Sequence, residues 1–233
     1  MRSFLRGVLL FILCSLALGQ TQDPAEAGPV APDAKAPAEA GLPVVTFTLD
    51  FPQSQPEHYS ISVPAEGVGH YQSTGRISRE PDDTDGFEFD FALSGQMREK
   101  IFRLASGAGH FRRDIDLHQK NLAFTGKKTL TYKDGHEAGE TSFNYAADPA
   151  ARELTELFQS LSATLEFGHR LDYDHRYQKL ALDDELKRMQ AMAHDRALVE
   201  VAAIQPILEK IVADHSVVNV ARARAQALLQ AGK

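Results

Sequence analysis

Residues 148–165, DPAARELTELFQSLSATL, mark the point where the hydrophobic pattern of the chain changes. Asp148 is a typical helix N-cap, and Pro149 suits the first helical position. Apolar side chains then recur at the three- and four-residue spacing of an amphipathic helix; they are Leu154, Leu157, Phe158, Leu161 and Leu165. The stretch therefore predicts that an α-helical domain, residues 148–233, begins here.

Upstream of this point, apolar and polar residues alternate with the period of a half-buried sheet. Four successive runs show the alternation: VTFTLDF at 45–51, HYSISV at 58–63, GHYQSTGRIS at 69–78 and FEFDF at 87–91. Alternation resumes later, and its apolar members are Leu122, Phe124, Leu130, Tyr132, Phe143 and Tyr145. Asp134-Gly135 lies between the run that ends at Tyr132 and the run that contains Phe143 and Tyr145, and such a pair is a strong hairpin signal.

One helix interrupts these strands. Ser94 is a plausible N-cap, and the apolar stripe that follows contains Met97, Ile101, Leu104 and Ala105. Gly107 and Gly109 would end the helix. The pattern predicts an α+β fold, in which a mainly antiparallel β-rich domain with one helix, residues 43–147, precedes the helical domain.

The helical domain should contain three to four helices. A second apolar stripe follows Gly168, through Tyr173, Tyr177, Leu180, Leu182, Leu186 and Met189. The pattern leaves open whether Gly168 breaks the long helix. Two more helices are predicted at about 198–212 and 216–230, and Pro206 would kink or restart the first of them.

The first nineteen residues have the three-part pattern of a secretory signal peptide. Arg2 and Arg6 supply the positive region, residues 7–18 are apolar apart from Ser15, and Ala17 and Gly19 are the small residues before the cleavage point. The apolar run is shorter than the roughly 20 residues of a membrane span. The sequence predicts export to the periplasm or beyond, with cleavage after about Gly19.

Two other interpretations of this segment stay open. It could be a short uncleaved anchor or a buried helix, or Cys14 could be lipidated. Lipidation is disfavoured because Ile12 and Leu13 stand where small residues are expected. Residues 20–42 follow, and their Ala, Pro, Gly and acidic composition predicts a disordered linker.

The charge and the cysteine content of the chain bear on its partners and its chemistry. The chain carries 25 Lys and Arg against 32 Asp and Glu, a net charge of −7, and removal of Arg2 and Arg6 with the signal makes it −9. An acidic chain is an improbable partner for nucleic acid. Cys14, the one cysteine, would leave with the signal, so the exported chain would have no disulfide and no thiol ligand or nucleophile.

Common catalytic motifs are incomplete. GKKT at 126–129 resembles the end of a phosphate-binding loop, but its flanks are predicted strands, so we expect a solvated hairpin face carrying Lys127, Lys128 and Lys133. Ser106 in LASGAG lacks the first glycine of a nucleophile elbow and falls late in a helix. The nine histidines are scattered, and His169 and His175 fall on different helix faces.

The segment HRLDYDHRYQK at 169–179 mixes charged and aromatic residues. Arg170 with Asp174, and Asp172 with Arg176, are opposite charges four residues apart, a spacing typical of a solvated helix face. The same groups could instead form a polar docking surface. Asp172 with His175 would offer two ligands to a metal, which is too few for a site.

Two resemblances bear on this chain. HYSISV, LAFTGKKTLTYKDG and LTELFQSLSATLEFGHRLDYDHRYQKLALDDELKRM resemble a group of exported bacterial proteins to which no activity is assigned, over about residues 44–229. ILEKIVADHSVVNVARARAQALL at 207–229 resembles a single HEAT-type repeat, with Asp214 at its turn. Because solenoids generally need three or more repeats, one copy suggests a helical hairpin packed on the preceding helices.

Neither resemblance supplies a catalytic, cofactor-binding or metal-binding residue. The sequence therefore favours a non-enzymatic, envelope-associated module that binds protein through its helical half. The alternative is a hydrolase whose site lies between the β-rich and helical halves.

Overall fold

The structure is a computed structural model, which describes residues 41–52, 54–76 and 84–231. The predicted signal peptide, most of the predicted linker, and Ile77 and Ser78 of the third predicted strand lie outside these ranges. The described residues form an antiparallel six-stranded sheet and a set of helices, so the predicted α+β class is confirmed.

The sheet has the order β4-β3-β2-β1-β5-β6. Its strands are β1 (Val44–Asp50), β2 (His58–Pro64), β3 (Gly69–Arg76), β4 (Thr84–Phe91), β5 (Lys127–Lys133) and β6 (Ala138–Phe143). The predicted hairpin joins β5 to β6, and Gly135 has a φ of +83° there. Alternation gives the sheet an inner face of buried apolar residues and an outer face rich in Ser and Thr.

Helix α1 (Gly95–Gly107) begins and ends as predicted. The Ser94 side chain accepts a hydrogen bond from the Met97 backbone amide, and Ile101 and Ala105 are buried. A 3₁₀ turn, Gly109–Phe111, follows directly. The His110 ring stacks on Tyr132 at a centroid distance of 4.1 Å, which places this turn against the inner face of β5.

Helix α2 (Pro149–Tyr177) is 29 residues long and covers the inner face of the sheet. Asp148 caps it by accepting hydrogen bonds from two backbone amides, as its sequence predicts. Phe158 stacks on Phe47 of β1 at 5.4 Å. Further along, His169 stacks on Phe87 of β4 at 3.7 Å. The helix therefore crosses the sheet from its middle to one edge.

Gly168 lies inside α2, which answers the question that the sequence left open. A β-carbon at this position would come within 2.6 Å of Ile204 Cγ2. The missing side chain therefore allows the 3₁₀ turn Val201–Ile204 to approach α2 closely.

Three helices complete the fold: α3 (Leu182–His194), α4 (Gln205–Ala213) and α5 (Asn219–Ala231). The prediction that one helix spans 198–212 is wrong at its start. Glu200 has a φ of +52°, and regular helix begins only at Gln205, with Pro206 in its first turn. Pro206 therefore belongs to a helix start. Buried residues of the sheet and of all the helices form one continuous core.

The predicted strand through Leu122 and Phe124 is also wrong, because β5 begins only at Lys127. The side chain of Asn144 explains the difference. Its Nδ2 donates to the Ala123 carbonyl at 3.0 Å, and its Oδ1 accepts from the Thr125 amide at 3.0 Å. A side-chain amide thus takes the hydrogen bonds that a neighbouring strand would otherwise make.

The close approach at Gly168 generates a prediction. We expect Gly168→Ala to reduce the free energy of unfolding by about 1–3 kcal/mol, because the new methyl group overpacks a buried contact. Urea denaturation measures the change. Gly95→Ala is the control: a β-carbon at that position would meet nothing within 4 Å, so the variant should be neutral or slightly stabilising. Equal losses in both variants would contradict this explanation.

Candidate functional site

A cluster of polar side chains lies where α2 crosses the sheet. Glu166 of α2 accepts hydrogen bonds at Oε1 from the Tyr71 hydroxyl and the Ser73 hydroxyl of β3, each at 2.7 Å. Ser162, one turn earlier on α2, lies 3.1 Å from the Tyr71 hydroxyl oxygen. These four residues are the junction cluster. Sequence analysis missed it, because Tyr71 and Ser73 follow ordinary strand alternation and Glu166 is one of many helical acids.

The junction cluster holds Glu166 in its ionised form. Burial raises the pKa of this carboxyl, but the interaction with the neighbouring His169 and the hydrogen bonds from Tyr71 and Ser73 outweigh burial, so the net pKa is lowered. His169 Nδ1 lies 3.9 Å from Glu166 Oε2. Burial and the Glu166 charge together raise the pKa of the Tyr71 hydroxyl, which remains a proton donor.

A second buried carboxylate adjoins the junction cluster. Arg170 Nε donates to Glu185 Oε1 of α3 at 2.5 Å, and Arg170 Nη1 lies 4.0 Å from Glu166 Oε2. The Glu185 side chain is only 2% exposed, and Arg188 also binds it. Arg170 stands over the Phe167 ring at 4.6 Å. An unpaired carboxylate at this depth would be costly, and Arg170 and Arg188 together pair with it.

A cavity of about 260 Å³ opens beside these groups, lined among others by Tyr59, Ser162, Glu166 and Arg170. Three of its polar residues, Ser162, Glu166 and Arg170, already contact other side chains. Because the pKa of Glu166 is lowered, this carboxylate is a weak general base near neutral pH. The arrangement is thus better suited to joining helix and sheet than to proton transfer.

A different cluster joins the α2–α3 turn to the α4–α5 turn. Asp214 Oδ2 accepts from Lys179 Nζ at 2.7 Å and lies 3.0 Å from His175 Nε2. Lys179 Nζ also donates to Ser216 Oγ at 2.6 Å. Hydrogen bonds from Lys179 and Ser216 hold the pKa of the Asp214 carboxyl far below its usual value. These contacts fix the two turns, residues 177–181 and 214–220, side by side, and we call them together the helical tip.

The helical tip carries several exposed apolar side chains. Leu180 is 84% exposed and Tyr177 is 70% exposed, and Val218 and Val220 are exposed on the neighbouring turn. Single exposed apolar residues are ordinary on protein surfaces, but a group of them on fixed backbone is a common feature of contact sites. The apolar stripe predicted through Tyr173 and Leu182 thus leaves the core at Tyr177 and Leu180.

The prediction that Lys127, Lys128 and Lys133 form a solvated hairpin face is wrong for Lys128. Lys127 and Lys133 are exposed, whereas Lys128 is 5% exposed. Its Nζ donates to the carbonyls of Thr125 and Asn144 at 3.2 and 3.0 Å, and burial lowers its pKa. The hydrogen bonds of Lys128 thus connect the segment before β5 to the segment after β6.

The solvated-face interpretation of residues 169–179 is wrong in part. Asp172 and Arg176 do pair, at 2.5 Å. Arg170, however, turns to Glu185 instead of Asp174, and His175 turns to Asp214. Most side chains of the segment are half-buried between helices. The polar residues here serve mainly to pack α2 against α3 and α4.

The remaining candidate site residues do not lie together in one site. Ser106 is exposed at the end of α1. His169 and His175 lie on different faces of α2, as their spacing predicts. His58 and His70 pair with Asp50 and Asp90 on the outer face of the sheet, at 2.5 and 2.7 Å. Among the residues that the structure describes, no three His, Cys, Asp or Glu side chains are placed to hold a metal ion.

Comparisons of the chain with protein-family models, with curated proteins and with solved structures find no match. Within residues 41–52, 54–76 and 84–231, no helix combines the length and the apolarity that crossing a bilayer requires. Geometry and chemistry are therefore the basis for proposing a function.

The junction cluster generates a prediction about acid stability. A lowered folded-state pKa means that ionised Glu166 stabilises the fold above the pKa of an unfolded glutamate, about 4.3. This contribution is lost as the pH falls through the lower folded-state value. We expect Glu166→Gln to reduce the free energy of unfolding by about 1–3 kcal/mol at pH 7. The difference from wild type should shrink as the pH falls below about 4.3.

Urea denaturation at a series of pH values measures this difference. Glu156→Gln is the matched control, because Glu156 is exposed on the same helix. The control should show little loss at any pH. A deficit in Glu166→Gln that stays constant down to acid pH would contradict the role given to the carboxylate.

Proposed function

We propose that this chain is an exported, periplasmic or secreted, non-enzymatic module that binds a protein partner through its helical half. The exposed apolar surface of the helical tip is the observation that carries the proposal. Leu180, 84% exposed, would gain roughly 1.5–3 kcal/mol if fully buried by a partner.

The backbone beneath this surface supports binding as well. Lys179, Asp214 and Ser216 hold the two turns together by hydrogen bonds of 2.6 to 2.7 Å. A fixed surface loses little conformational entropy when a partner covers it, which favours affinity. Leu180 and Val220 would be the apolar contacts, and the partner would need an apolar patch opposite them.

The sequence before residue 43 supports export. Residues 1–19 have the signal-peptide pattern, and residues 20–42 have the composition of a flexible linker. The overall acidity of the chain favours a protein partner over nucleic acid or an anionic membrane.

A hydrolase with a site between the β-rich and helical halves is the second candidate. The observation in its favour is the cavity of about 260 Å³ at the junction cluster, with Ser162 and Glu166 in its wall. If this cavity were catalytic, Glu166→Gln would abolish turnover of an ester or glycoside substrate while the protein stayed folded. The two hydrogen bonds that Glu166 Oε1 already accepts from Tyr71 and Ser73, and the lowered pKa of this carboxyl, favour the binding module instead.

The binding proposal predicts the behaviour of two matched variants. Affinity capture from envelope extracts with the tagged full chain should recover a specific protein. Tyr177→Ser/Leu180→Ser should lose it, because the contact surface becomes polar. Leu122→Ser/Phe124→Ser, which removes two exposed apolar residues before β5, should keep it. Loss in both variants, or in neither, would contradict binding through the helical tip.

Export generates a separate prediction. The mature protein should begin at about Gln20, as intact mass measurement of the exported form will show. Leu10→Arg should leave the precursor in the cytoplasm, because a charge interrupts the apolar region. Leu42→Arg, outside that region, should leave export unchanged. Cys14→Ser should also have no effect, and a lipid-modified mass that disappears in this variant would overturn cleavage after Gly19.

A further inference from the structure

Strand β4 is at one edge of the sheet, because it pairs with β3 on one side only. Within the described part of the chain, Phe87, Glu88 and Phe89 make no backbone–backbone hydrogen bond outside the pairing with β3. In an antiparallel pair, half of the backbone N–H and C=O groups of each strand point away from the other strand. The β4 edge therefore presents a row of backbone donors and acceptors that an added strand could use.

The opposite edge of the sheet is partly closed by the chain itself. Directly after β6, residues 145–147 pair with residues 115–117 through two backbone hydrogen bonds of 2.8 Å. The side chain of Asp116 also accepts a hydrogen bond from the Asn144 amide, at 3.0 Å. Among the described residues, β4 has no such cover on its outer side.

The inner face of β4 is incompletely buried. Phe47, Ile61 and Tyr71, which are inner-face residues of the neighbouring strands, have no exposed surface. Phe87 and Phe89 lie on the same face of the sheet, and both are only partly buried. The fold thus leaves aromatic surface uncovered at the position where an additional strand would lie.

A cleft of about 270 Å³ lies beside this aromatic surface, between β4, α2 and the start of α4. Phe87, Glu88 and Phe89 all line it, although consecutive residues of a strand point to opposite faces. The cleft therefore borders the edge of β4 as well as its inner face. Ile204 and Ile207 contribute apolar surface from the helical side. We call this concave surface the β4 cleft.

The charged side chains on the helical side of the β4 cleft pair with one another. Arg176 Nη2 lies 2.5 Å from Asp172 Oδ2, and Lys210 Nζ lies 4.0 Å from Asp172 Oδ1. An occupant of the β4 cleft would therefore meet mainly apolar surface and charges that already have partners. Apolar side chains suit this position best.

The outer face of β4 is acidic. Glu88 and Asp90 are exposed there. Glu88 accepts a hydrogen bond from the neutral amide of Gln72 at 3.1 Å, and Asp90 lies 2.7 Å from His70 Nδ1. In the part of the chain that the structure describes, neither carboxylate pairs with a lysine or an arginine. A lysine or arginine on an adjacent strand would form favourable cross-strand pairs with them, and an acidic residue would not.

The same carboxylates disfavour a second copy of this chain as the occupant. Two β4 strands paired antiparallel about Glu88 would place Glu88 opposite itself, and pairing about Phe89 would place Glu88 opposite Asp90. Like charges directly opposite each other are destabilising. The acidic edge thus discourages self-association and selects a strand of the opposite charge.

We propose that β4 binds an extended segment of a partner protein by strand addition, and that this segment alternates Lys or Arg with apolar residues. Its backbone pairs with the free groups of β4, its basic side chains lie beside Glu88 and Asp90, and its apolar side chains face Phe87, Phe89 and the β4 cleft. In strand addition, the backbone supplies affinity and the alternate side chains supply specificity. This surface is separate from the helical tip, so its occupancy does not depend on the partner proposed there.

Isothermal titration of the full chain with short peptides tests the proposal. The peptide KVKVKVK, acetylated and amidated at its ends, should bind at one site. EVEVEVE reverses the charge and KSKSKSK removes the apolar side chains, so each should bind at least about tenfold more weakly. Failure of KVKVKVK to bind, or equal binding of either altered peptide, overturns the proposal.

A methylated peptide separates strand pairing from attraction between opposite charges. KVKVKVK methylated on two consecutive central backbone nitrogens keeps every side chain and every charge. One of any two consecutive N–H groups of a paired strand points toward its partner, so methylation should weaken binding at least about tenfold. Equal binding of the methylated and unmethylated peptides would show that charge alone holds the peptide, and would overturn strand addition.

Charge reversal at the β4 edge tests the assigned position. Glu88→Lys/Asp90→Lys should weaken KVKVKVK binding at least about tenfold and should bind EVEVEVE more tightly than wild type does. The control Glu140→Lys/Glu156→Lys makes the same charge change at exposed positions on β6 and α2, and should keep the wild-type preference. An unchanged preference in the edge variant, or an equal change in both variants, overturns the assignment.

Hydrogen exchange of the wild-type chain locates the peptide without any substitution, and decides the matter if the edge variant does not fold. KVKVKVK should slow amide exchange in β4, residues 84–91, and leave exchange in β6, residues 138–143, unchanged. Protection of β6 instead of β4, or of neither strand, overturns binding at the β4 edge.

Discussion

The crossing of α2 over the sheet is the constraint on which the rest of the fold depends. At 1.5 Å per residue, 29 residues extend about 43 Å. Six strands at 4.7–4.9 Å spacing are about 24 Å wide. The helix is therefore longer than the sheet that it crosses. Its last turns, beyond His169, contact α3, α4 and the turn after α4 through Arg170, Asp172 and His175. The excess length of the helix thus explains why so short a segment contains so many interhelical contacts.

Three contacts fix how α2 lies on the sheet: Phe158 on Phe47, Glu166 on β3, and His169 on Phe87. The two aromatic contacts would tolerate some sliding, since stacking is not strongly directional. The contact between the Glu166 carboxylate and β3 would not tolerate sliding. Rotation or translation of α2 by one residue would take Glu166 away from the hydroxyls of Tyr71 and Ser73 and leave a buried charge without donors. The apolar contacts thus stabilise the packing of α2 on the sheet, and the polar contact determines its position.

Much of the fold could be predicted from local pattern alone. Alternation places β1 to β4 and the part of β5 around Leu130 and Tyr132, and Asp148-Pro149 places the start of α2, because these signals act within a few residues. Lys128 could have been predicted as buried too, since it shares the phase of Leu130 and Tyr132. Its charge suggested solvent instead, yet carbonyl oxygens at the strand end satisfy it.

The sites were harder to predict, because their members are distant in sequence. Tyr71 and Glu166 are 95 residues apart, and Arg170 pairs with Glu185 instead of Asp174, which is nearer in sequence. A local rule for charge pairs considers only neighbours on one helix. It fails where a second helix offers a buried carboxylate, because leaving that carboxylate unpaired would cost more than an exposed pair contributes.

The end of α2 has two faces with different surroundings. His169, Asp172 and Arg176 recur at helical spacing along one face and border a cleft between β4, α2 and the start of α4. His175 lies on a different face and, with Lys179 just beyond the helix, contacts Asp214 in the helical tip. A helix end that lay over a strand would have one of these faces covered by the sheet. Because it extends past the sheet edge, the same eleven residues, 169–179, can border a cleft on one side and support an exposed turn on the other.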